Sequence, residues 1–277
     1  MSAIYTTAEL GQLAVAASAI ARRAAEQIML IYQQSFDVTN KSDNTPLTAA
    51  DMASHHILET ELGALDASVL ALSEESSFER FAQRRAARRL WLIDPLDGTR
   101  EFVKRNGEFC INVALVEDHQ VVLGIILHPP SGVLWRAVRG GGAWREDTQG
   151  VHRIAVATTS DQPPRVAASR SHNHPSVEAY IAAIQATERL SQGSALKFAL
   201  IAEGKADVYP RLSSRCSEWD VAAGQCLIEE AGGGVVDPSG KVMRYNERDS
   251  VIVHNFIAYG DRGRSWLDPL VGIALGD

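Results

Sequence analysis

The sequence has 277 residues, of which 45% are hydrophobic and 22% charged, and its 27 basic and 34 acidic residues give a net charge of −7. This ordinary globular composition allows one large domain or two of moderate size. The negative charge argues against a general polyanion-binding protein. No uncharged run approaches the roughly 18 residues that cross a bilayer, so we expect no membrane span, and the charged N-terminal segment does not resemble a signal peptide.

The number and spacing of the cysteines indicate the cellular compartment. Cys110, Cys216 and Cys226 show no CxxC spacing, and an odd number leaves at least one without a disulfide partner. This usage favours a reducing environment, so we expect a cytoplasmic protein. Peripheral association with the inner face of the membrane stays open as an alternative. The chain is expected to be a monomer or a homodimer.

The first half of the chain mixes helices with antiparallel strands. Helical spacing of apolar residues predicts a long helix over 6–34, and Thr48 can cap a second helix that begins at residue 49. The stretches 68–76 and 90–94 each read as a short buried strand followed by acids. Alternation and turn residues across 108–146 predict three or four antiparallel strands.

The second half alternates helices with short strands. Predicted helices cover about 175–187, 194–204 and 219–232, and predicted strands cover 206–210 and about 233–236. A pair of prolines lies near a change in pattern, so we divide the chain into subdomains at 1–157 and 158–277. The mixture indicates layered α and β structure.

One short motif, "DPLDGT", carries the strongest chemical signal. Pro95 lacks an N–H donor, so a strand that reaches Asp94 is expected to turn there. Gly98 can adopt an unusual backbone angle, and Thr99 can cap a short helix. Two carboxylates about 4 Å apart repel by roughly 4 kcal/mol at an effective dielectric near 20. Either one of Asp94 and Asp97 therefore caps the turn while the other faces water, or both bind a hard divalent cation.

Further acids lie at strand ends and helix starts. Glu74 and Glu75 follow a predicted strand, Asp51 lies in the first turn of a helix, and Asp220 lies where another helix begins. Each has an ordinary structural explanation, since acids favour helix N-termini and exposed strand ends. They indicate a metal centre only if the fold brings them together with "DPLDG".

The motifs "SEES", "WLIDPLDGTREF" and "WDVAAGQCLIEEAGG" together resemble those of the inositol monophosphatase superfamily of magnesium-dependent, lithium-sensitive phosphatases. The resemblance extends from "KSDNTPLTAAD" to the last strands. It implies an α/β fold of five layers, an αβαβα sandwich. "SRSH" and "GSALKFALIAEGKADVYPR" are similar to the CysQ-type 3′(2′),5′-bisphosphate nucleotidase branch. Inositol monophosphatases usually carry an Asn-Phe pair after "DGT", whereas this chain has Arg100-Glu101-Phe102.

The resemblance assigns roles to individual positions. The implied ligands of two or three magnesium ions are Glu74, Asp94, Asp97, Asp220 and the carbonyl of Leu96. The residues implied to orient and activate water are Asp51, Thr99 and Glu74. The residues implied to contact the substrate are Glu74, Leu96, Asp97, Gly98, Thr99, Ser169, His172, Gly193, Lys197 and Asp220. Five of these carboxylates would supply −5 of the net −7, a charge that magnesium would offset.

The implied activity is magnesium-dependent hydrolysis of 3′-phosphoadenosine 5′-phosphate to AMP and phosphate. One alternative is an inositol phosphatase or another sugar-phosphate phosphatase of the same superfamily. A second is a non-catalytic nucleotide- or RNA-binding protein that uses the arginine-rich stretch 78–90. We interpret that stretch as a solvated surface loop, because no aromatic stacking platform accompanies it, and we expect no nucleic-acid partner.

Overall fold

A computed structural model describes residues 5–33, 38–40, 46–158, 162–169, 174–212 and 216–276. For 38–40 and 46–48 it describes only the backbone. Among the described helices, none combines the length and the apolar run that a bilayer crossing requires.

Seven α-helices occur in the described residues. In chain order they are α1 (Thr7–Tyr32), α2 (Ala49–Leu65), α3 (Phe78–Gln83), α4 (Thr99–Val103), α5 (Pro175–Ala183), α6 (Leu196–Ala202) and α7 (Glu218–Glu230). Helix α1 begins with a capping box in which Thr6 and Glu9 satisfy each other's backbone N–H groups. It ends two residues before the predicted limit.

The strands form two main sheets and two small ribbons. In chain order they are β1 (Val38–Asn40), β2 (Pro46–Thr48), β3 (Leu70–Ser73), β4 (Arg89–Asp97), β5 (Cys110–Glu117), β6 (Gln120–His128), β7 (Val133–Val138), β8 (Gly142–Asp147), β9 (Gly150–Ile154), β10 (Arg165–Ala168), β11 (Glu188–Ser191), β12 (Val208–Arg211), β13 (Cys216–Ser217), β14 (Gly234–Val236), β15 (Ile252–Val253) and β16 (Phe256–Tyr259).

The first main sheet contains seven strands in sequence order from β3 to β9. Strands β3 and β4 run parallel, and every later neighbouring pair is antiparallel. The second has the order β11-β10-β12-β16-β14 and combines parallel and antiparallel pairs. The proposed subdomain boundary at residue 157 falls between the last strand of one sheet and the first strand of the other.

Three apolar clusters show the order of the layers. Helices α1 and α2 pack on one face of the seven-stranded sheet. Helices α6 and α7 fill the space between the two sheets. Helix α5 covers the outer face of the five-stranded sheet together with Trp266. The result is the αβαβα sandwich that the sequence resemblance implies.

Close contact between α7 and the seven-stranded sheet depends on Gly124. A Cβ atom at this position on β6 would lie 2.5 Å from the carbonyl oxygen of Ala223 and 2.9 Å from Cβ of Cys226. The missing side chain lets the helix backbone approach the strand directly. This approach brings the N-terminus of α7, which carries Asp220, to the ends of β3 and β4.

The structure corrects two predictions about strands. Strand β4 does not stop at Asp94 but continues to Asp97, with a shift in its pairing to β5 between those two residues. A proline is tolerated at such an irregularity because no regular ladder hydrogen bond is lost there. The sheet also gains a strand, β9, whose mostly exposed residues gave no buried alternation to detect.

Candidate active site

Strands β3 and β4 bring Glu74 and Asp94 together. Ser73 pairs with Ile93, and the N–H of Glu74 donates to the Ile93 carbonyl at 3.0 Å. The two acids are thus the next residues along neighbouring parallel strands. Leu92 packs in the cluster with α6 and α7. Because side chains two apart share a face, Asp94 lies on the α7 side of the sheet.

The irregularity in β4 redirects Asp97. On a regular strand, residues three apart point to opposite faces, so Asp97 would face away from Asp94. The register shift breaks that alternation. The turn is held by an Asp94 oxygen that accepts the Leu96 N–H at 3.0 Å. Gly98 follows with φ of 94°, a left-handed conformation that favours glycine.

The structure places Thr99 at the first position of α4, while Gly98 occupies the capping position that the sequence analysis gave to Thr99. The Thr99 hydroxyl donates to the carbonyl oxygen of Leu96 at 3.2 Å. Two groups that the resemblance assigns to the metal centre and to water therefore contact each other directly.

Helix α2 supplies Asp51 and attaches it to the turn. Asp51 is buried in the first helical turn. One turn later, the hydroxyl of the fully buried Ser54 donates to the carbonyl of Pro95 at 2.8 Å. Ser54 was not identified from the sequence, since a helical serine carries no distinguishing pattern. Its contact fixes the start of α2 against the acidic motif.

Helix α7 supplies Asp220 through a capping box at its N-terminus. Ser217 and Asp220 satisfy each other's backbone groups, and the Ser217 N–H donates to Oδ2 of Asp220 at 2.9 Å. Burial, followed by the negative charges of Asp97 and Glu74, raises the pKa of Asp220 to about 7. The helix start therefore holds this carboxylate beside other acids.

The strongest sign of convergence is Asp94. Its pKa is raised well above the ordinary range, first by burial and then by four neighbouring charges, those of Glu74, Asp97, Asp220 and Asp51. All five acids predicted from the sequence therefore act on one place.

The donor set consists of carboxylate and carbonyl oxygens, which are the ligands that hard divalent cations prefer. Within the part of the chain that the structure describes, no group of three or more His, Cys, Asp or Glu side chains has the geometry to hold a metal ion as it stands. The case for a divalent cation at this site therefore rests on the chemistry of the oxygen donors and on the mutual repulsion of the carboxylates, which a cation would relieve.

Beside the acids lies a cavity of about 150 Å³. Among the predicted substrate contacts, it is lined by Asp97, Gly98, Ser169, Gly193, Lys197 and Asp220. His172 lies outside the described residues. A larger cavity of about 660 Å³, bounded by residues between 237 and 255, contains none of the predicted site residues, so we assign the chemistry to the smaller one.

Lys197 and Gly193 have close contacts of their own within this cavity. The Lys197 ammonium donates to the carbonyls of Gln192 and Ser194, and only 4% of the residue is exposed. The Gly193 N–H donates to the Glu108 carboxylate at 2.9 Å. A Cβ atom at Gly193 would lie 2.8 Å from the carbonyl oxygen of Glu108, so the position requires glycine. Both residues therefore shape the loop that borders the cavity.

Three groups hold one oxygen of Asp97. Oδ2 accepts hydrogen bonds from the Ala195 N–H at 2.5 Å and from Nδ2 of Asn112 at 3.3 Å, and the Cys110 thiol lies 3.7 Å away. Burial, and next the charge of Asp97, raise the pKa of Cys110, which keeps this thiol a neutral donor. Sequence reasoning missed Asn112 and Ala195, because both lie in ordinary strand and loop sequence.

Arg211 is a further cavity residue that the sequence analysis missed. It lies at the end of β12, lines the cavity with Asp220, and donates to the Tyr209 hydroxyl at 3.2 Å. The signal was present in "YPR", a cation placed at a strand end shortly before a predicted metal ligand. Lys197 and Arg211 are both cations in the lining of the cavity. Because the Lys197 ammonium donates to backbone carbonyls, Arg211 supplies a second positive charge there.

The arginine-rich stretch contacts its own chain. Arg80 pairs with Glu59 at 3.4 Å and Arg85 with Asp249 at 3.3 Å. The other three arginines bind partners as follows: Arg84 to Asn246 at 2.9 Å, Arg88 to Asp118 at 2.6 Å and Arg89 to Glu117 at 2.9 Å. Arg84 and Arg89 are buried, so the prediction of a solvated loop is wrong at both positions. These internal contacts weaken the RNA-binding alternative.

Comparison with known proteins gives consistent results. The sequence model of the inositol monophosphatase family matches residues 9–266. The 3′(2′),5′-bisphosphate nucleotidase CysQ of Escherichia coli K12 is 40% identical over 239 residues, which cover 86% of this chain and 95% of that protein.

Solved structures give the same likeness. CysQ of Bacteroides thetaiotaomicron superimposes with a TM-score of 0.78 at 35% identity, over 93% of this chain and 99% of that one. An inositol monophosphatase of Thermotoga maritima gives a TM-score of 0.75 at 26% identity, over 92% and 95% of the two chains.

Proposed function

This chain belongs to the inositol monophosphatase family, and from that premise we propose that it hydrolyses the 3′-phosphate of adenosine 3′,5′-bisphosphate to give AMP and phosphate. The observation that carries the proposal is its 40% identity to a bisphosphate nucleotidase over 86% of this chain and 95% of that protein. The cavity is compatible with a doubly phosphorylated ligand, because acids for a metal centre and the cation Arg211 border the same space.

The family is magnesium-dependent, and we propose two or three ions held by Glu74, Asp94, Asp97, Asp220 and the Leu96 carbonyl. When bound, magnesium offsets the carboxylate charges, polarises the phosphate and makes water more acidic. The burial of Asp94 and the shared acidic surroundings of Asp220 fit this role.

The chain's own residues orient the reaction. The Thr99 oxygen is positioned by its bond to the Leu96 carbonyl and can accept a hydrogen bond from the attacking water. Asp51, which lies on α2, polarises the attacking water. Glu74 takes the proton of that water as general base. Water attacks the phosphorus in line, the bond to the 3′-oxygen breaks, and the departing oxygen takes a proton from solvent water, while Glu74 returns its proton to solvent. We expect no phosphoenzyme, because the Cys110 thiol beside Asp97 has a raised pKa and stays a poor, neutral nucleophile.

Phosphate release from a panel of substrates tests the proposal. Adenosine 3′,5′-bisphosphate should give the highest kcat/KM when compared with inositol 1-phosphate and fructose 1,6-bisphosphate. A higher value for inositol phosphate would replace the nucleotidase assignment with the sugar-phosphatase alternative. Lithium chloride should inhibit turnover relative to sodium chloride at equal ionic strength. Activity that survives exhaustive chelation would contradict metal dependence.

A cytoplasmic location is part of the proposal. Cys110, Cys216 and Cys226 are all buried free thiols, which suits a reducing compartment. Fractionation of cells that express the protein would test this directly.

A further inference from the structure

A buried polar network joins the segment after Glu74 to the start of α7. Nη1 of Arg84 donates to Oδ1 of Asn246 at 2.9 Å, and Nδ2 of Asn246 donates back to the Arg84 carbonyl at 2.7 Å. The N–H of Asn246 donates to Oε2 of Glu218 at 2.8 Å. We call Arg84, Asn246 and Glu218 the latch. The exposed fractions of these residues are 4%, 2% and 0%.

The network is costly to bury. Glu218 has a second oxygen, Oε1, that is buried without a hydrogen-bond partner. An unsatisfied buried oxygen costs about 1–3 kcal/mol. Asn246 also adopts φ of 54°, which few residues other than glycine, asparagine and aspartate accept readily. An apolar contact would join the same elements without these costs, so a role in positioning explains the network better than stability alone.

The latch connects two parts of the acid site. Glu218 lies two residues before Asp220 in the first turn of α7, and its N–H is fixed by the Val251 carbonyl at 2.9 Å. Arg84 directly follows α3, the helix that begins four residues after Glu74. Next to the network, the rings of Phe81 and Trp219 contact edge to face with centroids 6.0 Å apart.

We propose that Arg84, Asn246 and Glu218 are positioning residues that set the distance between Glu74 and Asp220, and so set the affinity of the metal centre. The inference rests on the proposed function, since it takes these two acids as ligands. None of the three latch residues lines the cavity beside the acids. It holds the helix start and the strand end at one separation, so a divalent cation finds both carboxylates already placed.

Divalent-cation binding without substrate tests the latch. Manganese titration by calorimetry compares wild type with Arg84→Met, and Arg88→Met is the matched control because Arg88 makes an exposed ion pair in the same segment. Arg84→Met should raise the manganese dissociation constant about tenfold, and Arg88→Met should change it by less than about twofold. Arg84→Lys, which keeps the charge, should recover part of the loss.

A second variant distinguishes a loss of positioning from a failure of Arg84→Met to fold. Asn246→Gly tolerates the positive φ while removing the side chain, and it should weaken manganese binding as Arg84→Met does. With substrate, both variants should need more magnesium for half-maximal rate, with a smaller loss of kcat at saturating magnesium. Manganese affinities equal to wild type, with lowered melting temperatures alone, would show a purely structural network and overturn the proposal.

The same titration separates this inference from the proposed function. Normal manganese binding by wild type without turnover of the bisphosphate would overturn the substrate assignment and leave the latch intact. A wild-type protein that binds no manganese would overturn both.

Discussion

The backbone N–H of Ala195 donates to Oδ2 of Asp97 at 2.5 Å, so a predicted metal ligand is bound to the loop that borders the substrate cavity. Asp97 ends β4 in the first sheet, whereas Ala195 directly precedes α6, between the sheets. A ligand that moves this loop therefore also acts on a carboxylate of the proposed metal centre. Substrate affinity and metal affinity are expected to depend on each other.

The first prediction concerns this carboxylate. Asp97→Asn should reduce activity by at least about 100-fold, because it removes a ligand charge. In chelator it should melt at or above the wild-type temperature, since one of the charges that raise the pKa of Asp94 is gone while an oxygen still accepts from Ala195. Magnesium should raise the melting temperature of wild type by binding the native state, and should raise that of the variant less.

Asp118→Asn is the control for that experiment, since the Asp118 side chain is exposed and forms an ion pair with the exposed Arg88. It should keep full activity and the full magnesium response. A wild type that shows no magnesium shift, together with an Asp97→Asn variant that melts far lower in chelator, would make Asp97 a structural residue of the turn.

The second prediction distinguishes the roles of Arg211 and Lys197, the two cations that line the cavity. Arg211→Met should raise KM for adenosine 3′,5′-bisphosphate about ten- to hundredfold, with a smaller effect on a simple phosphate monoester. Lys197→Met should lower activity on both substrates alike, because its ammonium is bound to the carbonyls of Gln192 and Ser194. Steady-state kinetics on both substrates measure the difference. A substrate-selective effect of Lys197→Met would instead assign the second phosphate to Lys197, as the sequence resemblance implies.

The third prediction concerns pH. Burial raises the pKa of Glu229 above its ordinary value of 4.5, although Gln225 donates to it at 2.9 Å. A carboxylate with a raised folded-state pKa adds a penalty to the folded state that appears as pH rises through the unfolded-state value and is complete above the folded-state value. Glu229→Gln should therefore have a larger free energy of unfolding than wild type at pH 7.5, and the difference should vanish near pH 4.

Urea unfolding at both pH values measures this effect. Glu247→Gln provides an exposed comparison, with a side chain that pairs with Arg244 at the surface. It should show no gain at neutral pH. A Glu229→Gln variant that is less stable than wild type at pH 7.5 would mean that its hydrogen bond to Gln225 outweighs the cost of burial.

The fourth prediction compares one substitution in two helices. At Gly11 in α1 a new Cβ atom meets nothing within 4 Å, so Gly11→Ala should stabilise the protein by about 1 kcal/mol. At Gly224 in α7 the new atom would lie 2.2 Å from the Phe198 ring, so Gly224→Ala should destabilise by about 1–3 kcal/mol. Denaturant unfolding measures the change in the free energy of unfolding for each variant. Equal changes in the two variants would show that the Phe198 ring moves freely to make room.

The sequence predicted the elements with strong periodicity and the acids with a distinctive spacing. Helix α1 and the antiparallel run from β5 to β8 followed from apolar patterns, and "DPLDGT" indicated the centre of the candidate site. Strand β11, with its exposed residues, carried no such pattern. Short strands of this kind are defined by their neighbours in the sheet, which a local pattern cannot show.

The residues that hold the site in place were harder to find. Ser54, Asn112 and Ala195 reach the acidic motif only after the chain has folded, since their partners are 41, 15 and 98 residues away. Arg84 was interpreted as solvated because its charge was visible in the sequence, while its distant partner Asn246 was not. Local composition reports which groups are present but not which of them meet.

The central position of α7 has a consequence for synthesis. The face of the seven-stranded sheet that it covers includes Leu92, Ala114 and Ile126, and the helix ends only at Glu230. A nascent chain that has already completed this sheet would expose an apolar surface on the ribosome until the last fifth of the protein emerges. Chaperone capture should be strongest in that interval, and truncation before α7 should give aggregates rather than a smaller working enzyme.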